Sequence, residues 1–144
     1  MIKFEIMKVV IPIVLIIVSC FAVIISCKKP NGNTITGGGK GGNATIIVTP
    51  EIYDFFVDTC TIYIKYGTLD APANGQYDDS LVCVLVNDTP VAQFKNLTVG
   101  LYYLYGVGYH SIGGHFPNVK GAKSCTISKE AAIRLWIPTY PYQL

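Results

Sequence analysis

Only a few side chains in this sequence are of the types that usually perform catalysis, and their spacing does not bring them together. The 144-residue chain has two histidines, His110 and His115, and both lie in a glycine-rich loop. A cysteine nucleophile needs a neighbouring base to lower the pKa of its thiol, and no pattern places either histidine beside a cysteine. No Ser-His-Asp order, catalytic carboxylate pair or metal triad is recognisable. We therefore expect no catalytic residues, no cofactor and no bound metal.

Three cysteines lie in segments that are predicted to be strands: Cys60, Cys83 and Cys125. Aliphatic residues stand two positions away from each, so we expect the thiols to be buried as small hydrophobic side chains. Spacings of 23 and 42 residues match no zinc motif. In an oxidising compartment, three thiols permit one disulfide and leave one thiol over, and the sequence does not indicate which two would pair.

Tyrosine is the most abundant residue with binding potential, with ten in the chain. Tyr103 and Tyr105 alternate with Tyr102 and Leu104, so the two pairs take opposite faces of a strand. Further aromatic residues that would extend such a surface are Tyr63, Tyr66 and Trp136. Aromatic patches mark binding sites for sugars, peptides or protein partners, whereas the alternative role of such rings is to pack across strands.

A second group of aromatic and imidazole side chains surrounds the glycine-rich loop after the tyrosine pair. Tyr109, His110, His115 and Phe116 belong to it, and loops carried on rigid sheets often bind ligands. Two histidines alone rarely hold a metal. The predicted ligand-binding residues are therefore Tyr103, Tyr105, Tyr109, His110 and His115.

Aspartates also cluster, at Asp70, Asp78 and Asp79, in one loop with an Asn-Gly turn. Calcium takes six to eight oxygen ligands from loops of this kind, but the spacing fits no EF-hand. We expect these carboxylates to cap turns and solvate the loop.

The N-terminus carries the most specific pattern. Lys3 and Lys8 precede residues 9–26, which are eighteen residues without a charge. This run leads into Ile24-Ile25-Ser26-Cys27, and an abrupt polar stretch follows. These four residues resemble a bacterial lipobox, in which the cysteine receives diacylglycerol. The resemblance implies a signal peptide over 1–26 and a membrane anchor on Cys27.

Two alternatives to that anchor stay open. Ile17-Val18-Ser19-Cys20 matches the same pattern by residue type, although cleavage there would leave an apolar tail. The segment could instead remain attached as a transmembrane helix, but eighteen residues span about 27 Å, slightly less than a hydrocarbon core.

The remaining chain predicts a tether and one small domain. Residues 27–43 are rich in glycine and asparagine, which favours a flexible linker. From residue 27 onward, nine basic and eight acidic side chains give too little positive charge for a nucleic-acid partner. Residues 44–140 suffice for one hydrophobic core.

Within that domain, short segments of alternating or β-branched residues predict strands. These segments are 44–49, 59–66, 81–86, 91–95, 101–107, 124–127 and 133–138. Residues 81–86 are apolar on both faces, which predicts a strand covered on both sides. About seven strands with turn residues between them favour an all-β fold, a single antiparallel sandwich of the immunoglobulin or transthyretin type.

The segment from Phe94 to Leu104 resembles the strand-turn-strand of carboxypeptidase-regulatory and transthyretin-like domains. The resemblance extends over residues 78–138 and implies that Leu97 plugs the core, Gly100 forms the turn and Tyr102 begins a strand. Such domains carry no catalytic residues. More broadly, Ser26-Cys27-Lys28-Lys29, the tether and the small β domain resemble uncharacterised lipoproteins of Bacteroidota.

Those resemblances imply a location in the cell envelope, with the membrane as a partner through the lipid and an envelope protein or glycan as a possible ligand. Lys28 and Lys29 stand where surface-exported members carry acidic residues. We therefore expect the domain to lie on the periplasmic side of the outer membrane and not on the cell surface.

Overall fold

The structure, a computed structural model, describes residues 34–111 and 117–143. This part of the chain contains no helix and ten strands. The strands are β1 (Lys40–Ile52), β2 (Phe55–Phe56), β3 (Thr59–Tyr66), β4 (Asp79–Val82), β5 (Val84–Val86), β6 (Thr89–Leu97), β7 (Gly100–Tyr109), β8 (Asn118–Ile127), β9 (Ala132–Pro138) and β10 (Tyr140–Tyr142).

The strands form two sheets, which confirms the predicted all-β sandwich. In the first sheet, β1 lies between β6 and β9, β5 pairs with the far side of β6, and β2 pairs with the end of β1. The second sheet has the order β10-β8-β7-β3-β4. Every pairing in the described chain is antiparallel except that of β1 with β9, which is parallel. The sequence predicts a purely antiparallel sandwich, so the parallel pairing of β1 with β9 departs from that prediction.

The core lies between the two sheets because alternate side chains of both sheets point inward. In β3, Cys60, Ile62 and Ile64 are buried while their neighbours reach the outer surface. Ile46 and Val48 of β1 are buried in the same cluster from the opposite sheet. Alternation with a period of two therefore explains most of the core. The exceptions are the consecutive buried residues 48–50 in β1 and 90–92 in β6.

The predicted strand over 81–86 is the main error of the sequence analysis. The chain leaves the second sheet at the end of β4 and enters the first sheet at the start of β5, with Cys83 between them. Val82, Val84 and Leu85 are 63–69% exposed and not covered on both sides. Because the segment changes sheets at a sandwich edge, Val82 and the β5 side chains lie outside the core, whereas Leu81 and Cys83 pack against it and are partly buried.

The domain begins earlier than expected. Strand β1 starts at Lys40, not at residue 44, and the Gly37 carbonyl accepts a hydrogen bond of 2.6 Å from the Leu101 amide. Gly39 accepts another, of 2.9 Å, from Thr98. The last part of the predicted 27–43 tether is therefore bound to the sandwich. At the other end of the domain, β10 extends to Tyr142, past the predicted limit of residue 140.

The turn between β6 and β7 is built on a buried tyrosine. The Tyr102 hydroxyl donates a hydrogen bond of 2.6 Å to the Thr98 carbonyl and accepts one of 3.1 Å from the Gly39 amide. Leu97 is fully buried at the end of β6. At Gly100, a Cβ atom would collide with the backbone of Gly37 and Gly38, so only glycine fits where these two segments cross.

Candidate functional site

The outer surface of the second sheet is the most distinctive feature of the described chain. Tyr103 and Tyr105 of β7 lie on this surface, whereas Tyr102 and Leu104 are fully buried on the inner one, as the alternation predicted. Residues directly opposite each other in a sheet share a face, and the register adds tyrosines from β3 and β10. We call this surface the tyrosine face, and its members are Tyr63, Tyr77, Tyr103, Tyr105, Tyr109, Tyr140 and Tyr142.

Three of these rings pack into one cluster. Tyr77, from the loop between β3 and β4, stacks on Tyr105 with a centroid distance of 5.9 Å and an interplanar angle of 10°. Its ring also lies 5.4 Å from that of Tyr63, which is 6.4 Å from Tyr105. These separations lie within the favourable range for aromatic pairs. The rings therefore pack across strands, as the alternative predicted, and also form a preorganised aromatic surface.

The phenols of Tyr77 and Tyr105 stay protonated near neutral pH. Burial, reinforced by the neighbouring tyrosines, raises the pKa of Tyr77 and of Tyr105. A neutral phenol both donates and accepts hydrogen bonds. The cluster therefore offers a ligand apolar ring surface together with hydroxyl groups.

A groove of about 390 Å³ borders the cluster and combines aromatic with acidic side chains. Its lining includes Tyr63, Tyr77, Asp78, Asp79 and Ser80. The groove is open to solvent and its lining is more polar than apolar, with Tyr63 and Tyr77 as its aromatic members. This arrangement suits a ligand with both apolar faces and hydroxyl groups.

The two carboxylates in the groove are held in place by cations. Asp78 lies 2.8 Å from the Lys65 ammonium and accepts a hydrogen bond of 2.7 Å from the Tyr66 amide. Burial acts to raise the pKa of Asp78, but these bonds outweigh it and the pKa is lowered. Asp79 is 2.7 Å from Lys40, and that bond lowers its pKa in the same way. Both groups are therefore charged acceptors.

At the other end of the tyrosine face, a lysine packs over one of the aromatic rings. The Lys120 ammonium lies 4.6 Å from the centroid of the Tyr142 ring, within the range of a cation–π interaction. Tyr140 is 61% exposed beside it. The tyrosine face therefore extends across the second sheet from the groove beside β4 to β10.

His110 lies apart from the tyrosine cluster. Its ring stacks on Phe55 at 6.4 Å, and its Nδ1 is 3.4 Å from the Asp58 carboxylate. That nitrogen is buried without a hydrogen bond, and the same carboxylate oxygen accepts a hydrogen bond of 2.6 Å from the Ser111 amide. His115 lies outside the described residues. Residues 34–111 and 117–143 contain no group of three side chains that could hold a metal.

Two aromatic residues expected on the binding surface lie elsewhere. Tyr66 packs edge-on against buried Tyr102 at 5.8 Å, and Trp136 is exposed on β9 of the other sheet. Sequence reasoning missed Tyr77, Tyr140 and Tyr142. The alternation of Tyr140 and Tyr142 is a signal that could have identified the last strand, whereas Tyr77 lies in a loop without a periodic pattern.

No family model, curated protein or solved structure matches this chain. In the part of the chain that the structure describes, no helix has the length and apolar character needed to cross a membrane. The predicted signal peptide, Cys20 and the predicted lipid attachment residue Cys27 lie outside the described residues.

Proposed function

We propose that this protein is a non-catalytic binding module of the cell envelope, held at the membrane by a lipid on Cys27, and that the tyrosine face binds its ligand. The observation that carries the proposal is the concentration of seven tyrosines on one outer sheet surface beside an acidic groove. Because a sandwich needs side chains only on its inner faces to build a core, so many aromatic rings on an outer face favour a role in recognition.

Carbohydrate is the ligand class that this chemistry suits best. The apolar C–H faces of a sugar ring can lie against the stacked Tyr77 and Tyr105 rings, and its hydroxyl groups can donate hydrogen bonds to Asp78. The Asp78 carboxylate offers about four acceptor sites, more than its two protein contacts occupy. The rigid cluster also reduces the entropy lost when a ligand binds.

The first prediction concerns this face. On a glycan array, the full-length protein in detergent is expected to bind a subset of glycans, and Tyr103→Ala and Tyr105→Ala should each weaken that binding by about two- to tenfold. The matched control is Trp136→Ala, which removes an exposed aromatic ring from the opposite sheet. Binding that survives both tyrosine changes, or that falls equally in the control, would count against the tyrosine face.

A peptide is the second candidate ligand, and the exposed strand β5 is the observation that favours it. Within the described chain β5 pairs only with β6, and a groove of about 470 Å³ lies beside its apolar side chains. An extended peptide can add to such an edge as a further strand. Loss of ligand binding in Val84→Asp, which changes a side chain that lines this groove, but not in Tyr103→Ala would support this alternative.

The anchor is proposed on the lipobox resemblance of Ile24-Ile25-Ser26-Cys27 and on the polar chain that follows it. One acyl chain gives only reversible membrane binding, whereas two or more hold a protein firmly. The tether then places the sandwich, proposed to be of the transthyretin-like group, near the membrane on the periplasmic side.

The second prediction tests the anchor by palmitate labelling and mass analysis in cells. Wild type should incorporate label and lose residues 1–26, and Cys27→Ala should do neither. Cys20→Ala is the control and should behave as wild type. Label retained in Cys27→Ala would move the anchor to Cys20, and a full-length unlabelled wild type would indicate an uncleaved membrane span.

A further inference from the structure

Two of the three described cysteines meet where the chain crosses between the sheets. In the pairing of β3 with β4, Thr61 lies opposite Val82, so the next step places Cys60 opposite Cys83. The Cys83 amide donates a hydrogen bond of 2.8 Å to the Cys60 carbonyl. Directly opposite residues of antiparallel strands have Cα atoms about 4.5–5.5 Å apart, within the range that a disulfide spans.

The side chains of this pair also interact. Cys60 is 1% exposed and Cys83 is half-buried beside the core. The Cys60 thiol donates a hydrogen bond of 3.7 Å to the Thr61 carbonyl. The neighbouring Cys83 thiol raises the pKa of Cys60, and the Cys60 thiol lowers that of Cys83. Cys83 is therefore the thiol that ionises first, and it is the more accessible of the two.

Cys125 has no cysteine opposite it. It faces Tyr102 across the pairing of β7 with β8, and burial alone raises its pKa to about 11. The structure therefore distinguishes one pair of opposed cysteines from a third that faces a tyrosine, which the spacing of the three cysteines could not do.

We infer that Cys60 and Cys83 form a disulfide that fastens the crossover between the two sheets. The only residue between β4 and β5 is Cys83, and β5 lies at a sheet edge with its three side chains exposed. A covalent link to the central part of the second sheet would hold this edge in place. The inference does not depend on the ligand of the tyrosine face.

The oxidant is a disulfide, either of a carrier protein or of glutathione. The Cys83 thiolate attacks one sulfur of that disulfide, which forms a mixed disulfide and releases one thiol. Cys60 then loses its proton and attacks the Cys83 sulfur, and the second thiol leaves. Two protein thiols are oxidised, and one external disulfide is reduced to two thiols.

The test, which is the third prediction, uses the purified full chain in detergent, treated while folded with oxidised glutathione. Free thiols are alkylated after denaturation, and the protein is cut with trypsin, which cleaves after Lys65 and so separates the two cysteines. We expect the Cys60 peptide to be linked to the Cys83 peptide and Cys125 to be alkylated. Cys125→Ala should keep the link, whereas Cys83→Ser should lose it.

Thermal unfolding of the wild type supplies a readout that needs no substitution. The loop from Cys60 to Cys83 is long enough that closing it should raise Tm by about 10 °C, and dithiothreitol should reverse the rise. Cys125→Ala should show the same reductant-sensitive shift. A link from Cys125 to either partner, or alkylation of Cys60 and Cys83 as well as Cys125 after oxidation of the folded protein, would overturn the inference.

Discussion

Replacing Tyr102 with alanine is expected to lower the free energy of unfolding by about 3–5 kcal/mol, because it removes a large, fully buried ring from the core. The same ring contacts Tyr66, and its hydroxyl connects Thr98 to Gly39. Tyr102→Phe keeps the ring and loses only the hydroxyl, so we expect a smaller loss of about 1–3 kcal/mol.

Chemical denaturation monitored by circular dichroism measures both effects. Tyr103→Ala is the matched control, since Tyr103 is the next residue and lies on the outer surface, and its loss should be well below that of Tyr102→Ala. Equal destabilisation by the two alanine variants would contradict the division of β7 into an inner and an outer face.

Gly108→Ala is expected to disrupt the pairing of β7 with β3. A Cβ atom at this position would collide with the Thr59 carbonyl oxygen and would lie 2.9 Å from the Cys60 Cα. Thr59 and Cys60 begin β3 and pair with the last two residues of β7. Their backbone atoms can move aside only by opening these pairs, so we expect a loss of about 1–3 kcal/mol or more. Urea unfolding of the purified variant and of the wild type measures this loss in the free energy of unfolding.

Gly106→Ala provides the comparison for that prediction. Gly106 lies two residues earlier on the same strand, and its Cβ would meet only side-chain atoms, Ile62 Cδ1 at 3.1 Å and Cys60 Sγ at 3.4 Å. Small rotations of Ile62 relieve such a contact, so the loss should be clearly smaller. A Gly108→Ala protein as stable as wild type would mean that β3 and β7 are separated more widely than the structure shows.

Much of the fold could be predicted because period-two alternation is a local signal. The predicted strand over 59–66 coincides with β3, where β-branched and aromatic residues alternate without interruption. The segment 81–86 has no such alternation, so its apolar residues fit a buried strand or an exposed one equally well. Its course depends on where the chain changes sheets, which is a tertiary property.

The candidate site was predictable in part for the same reason. Tyr103 and Tyr105 could be assigned to one face from their spacing alone, and the register then brought Tyr63 beside them. Tyr77 reaches the cluster from a loop, and Lys40 reaches Asp79 from a segment assigned to the tether. Contacts between segments far apart in sequence depend on the folded arrangement, and no local pattern encodes them.

The central position of β1 has a mechanical consequence. This first strand is flanked by β6 on one side and by parallel β9 on the other. A pull on the N-terminal end of the domain would act along the axis of β1 and load the hydrogen bonds to both neighbours in shear, all at the same time. A module that binds a ligand while tethered at that end would resist extraction of its first strand far better than one whose tether led into an edge strand.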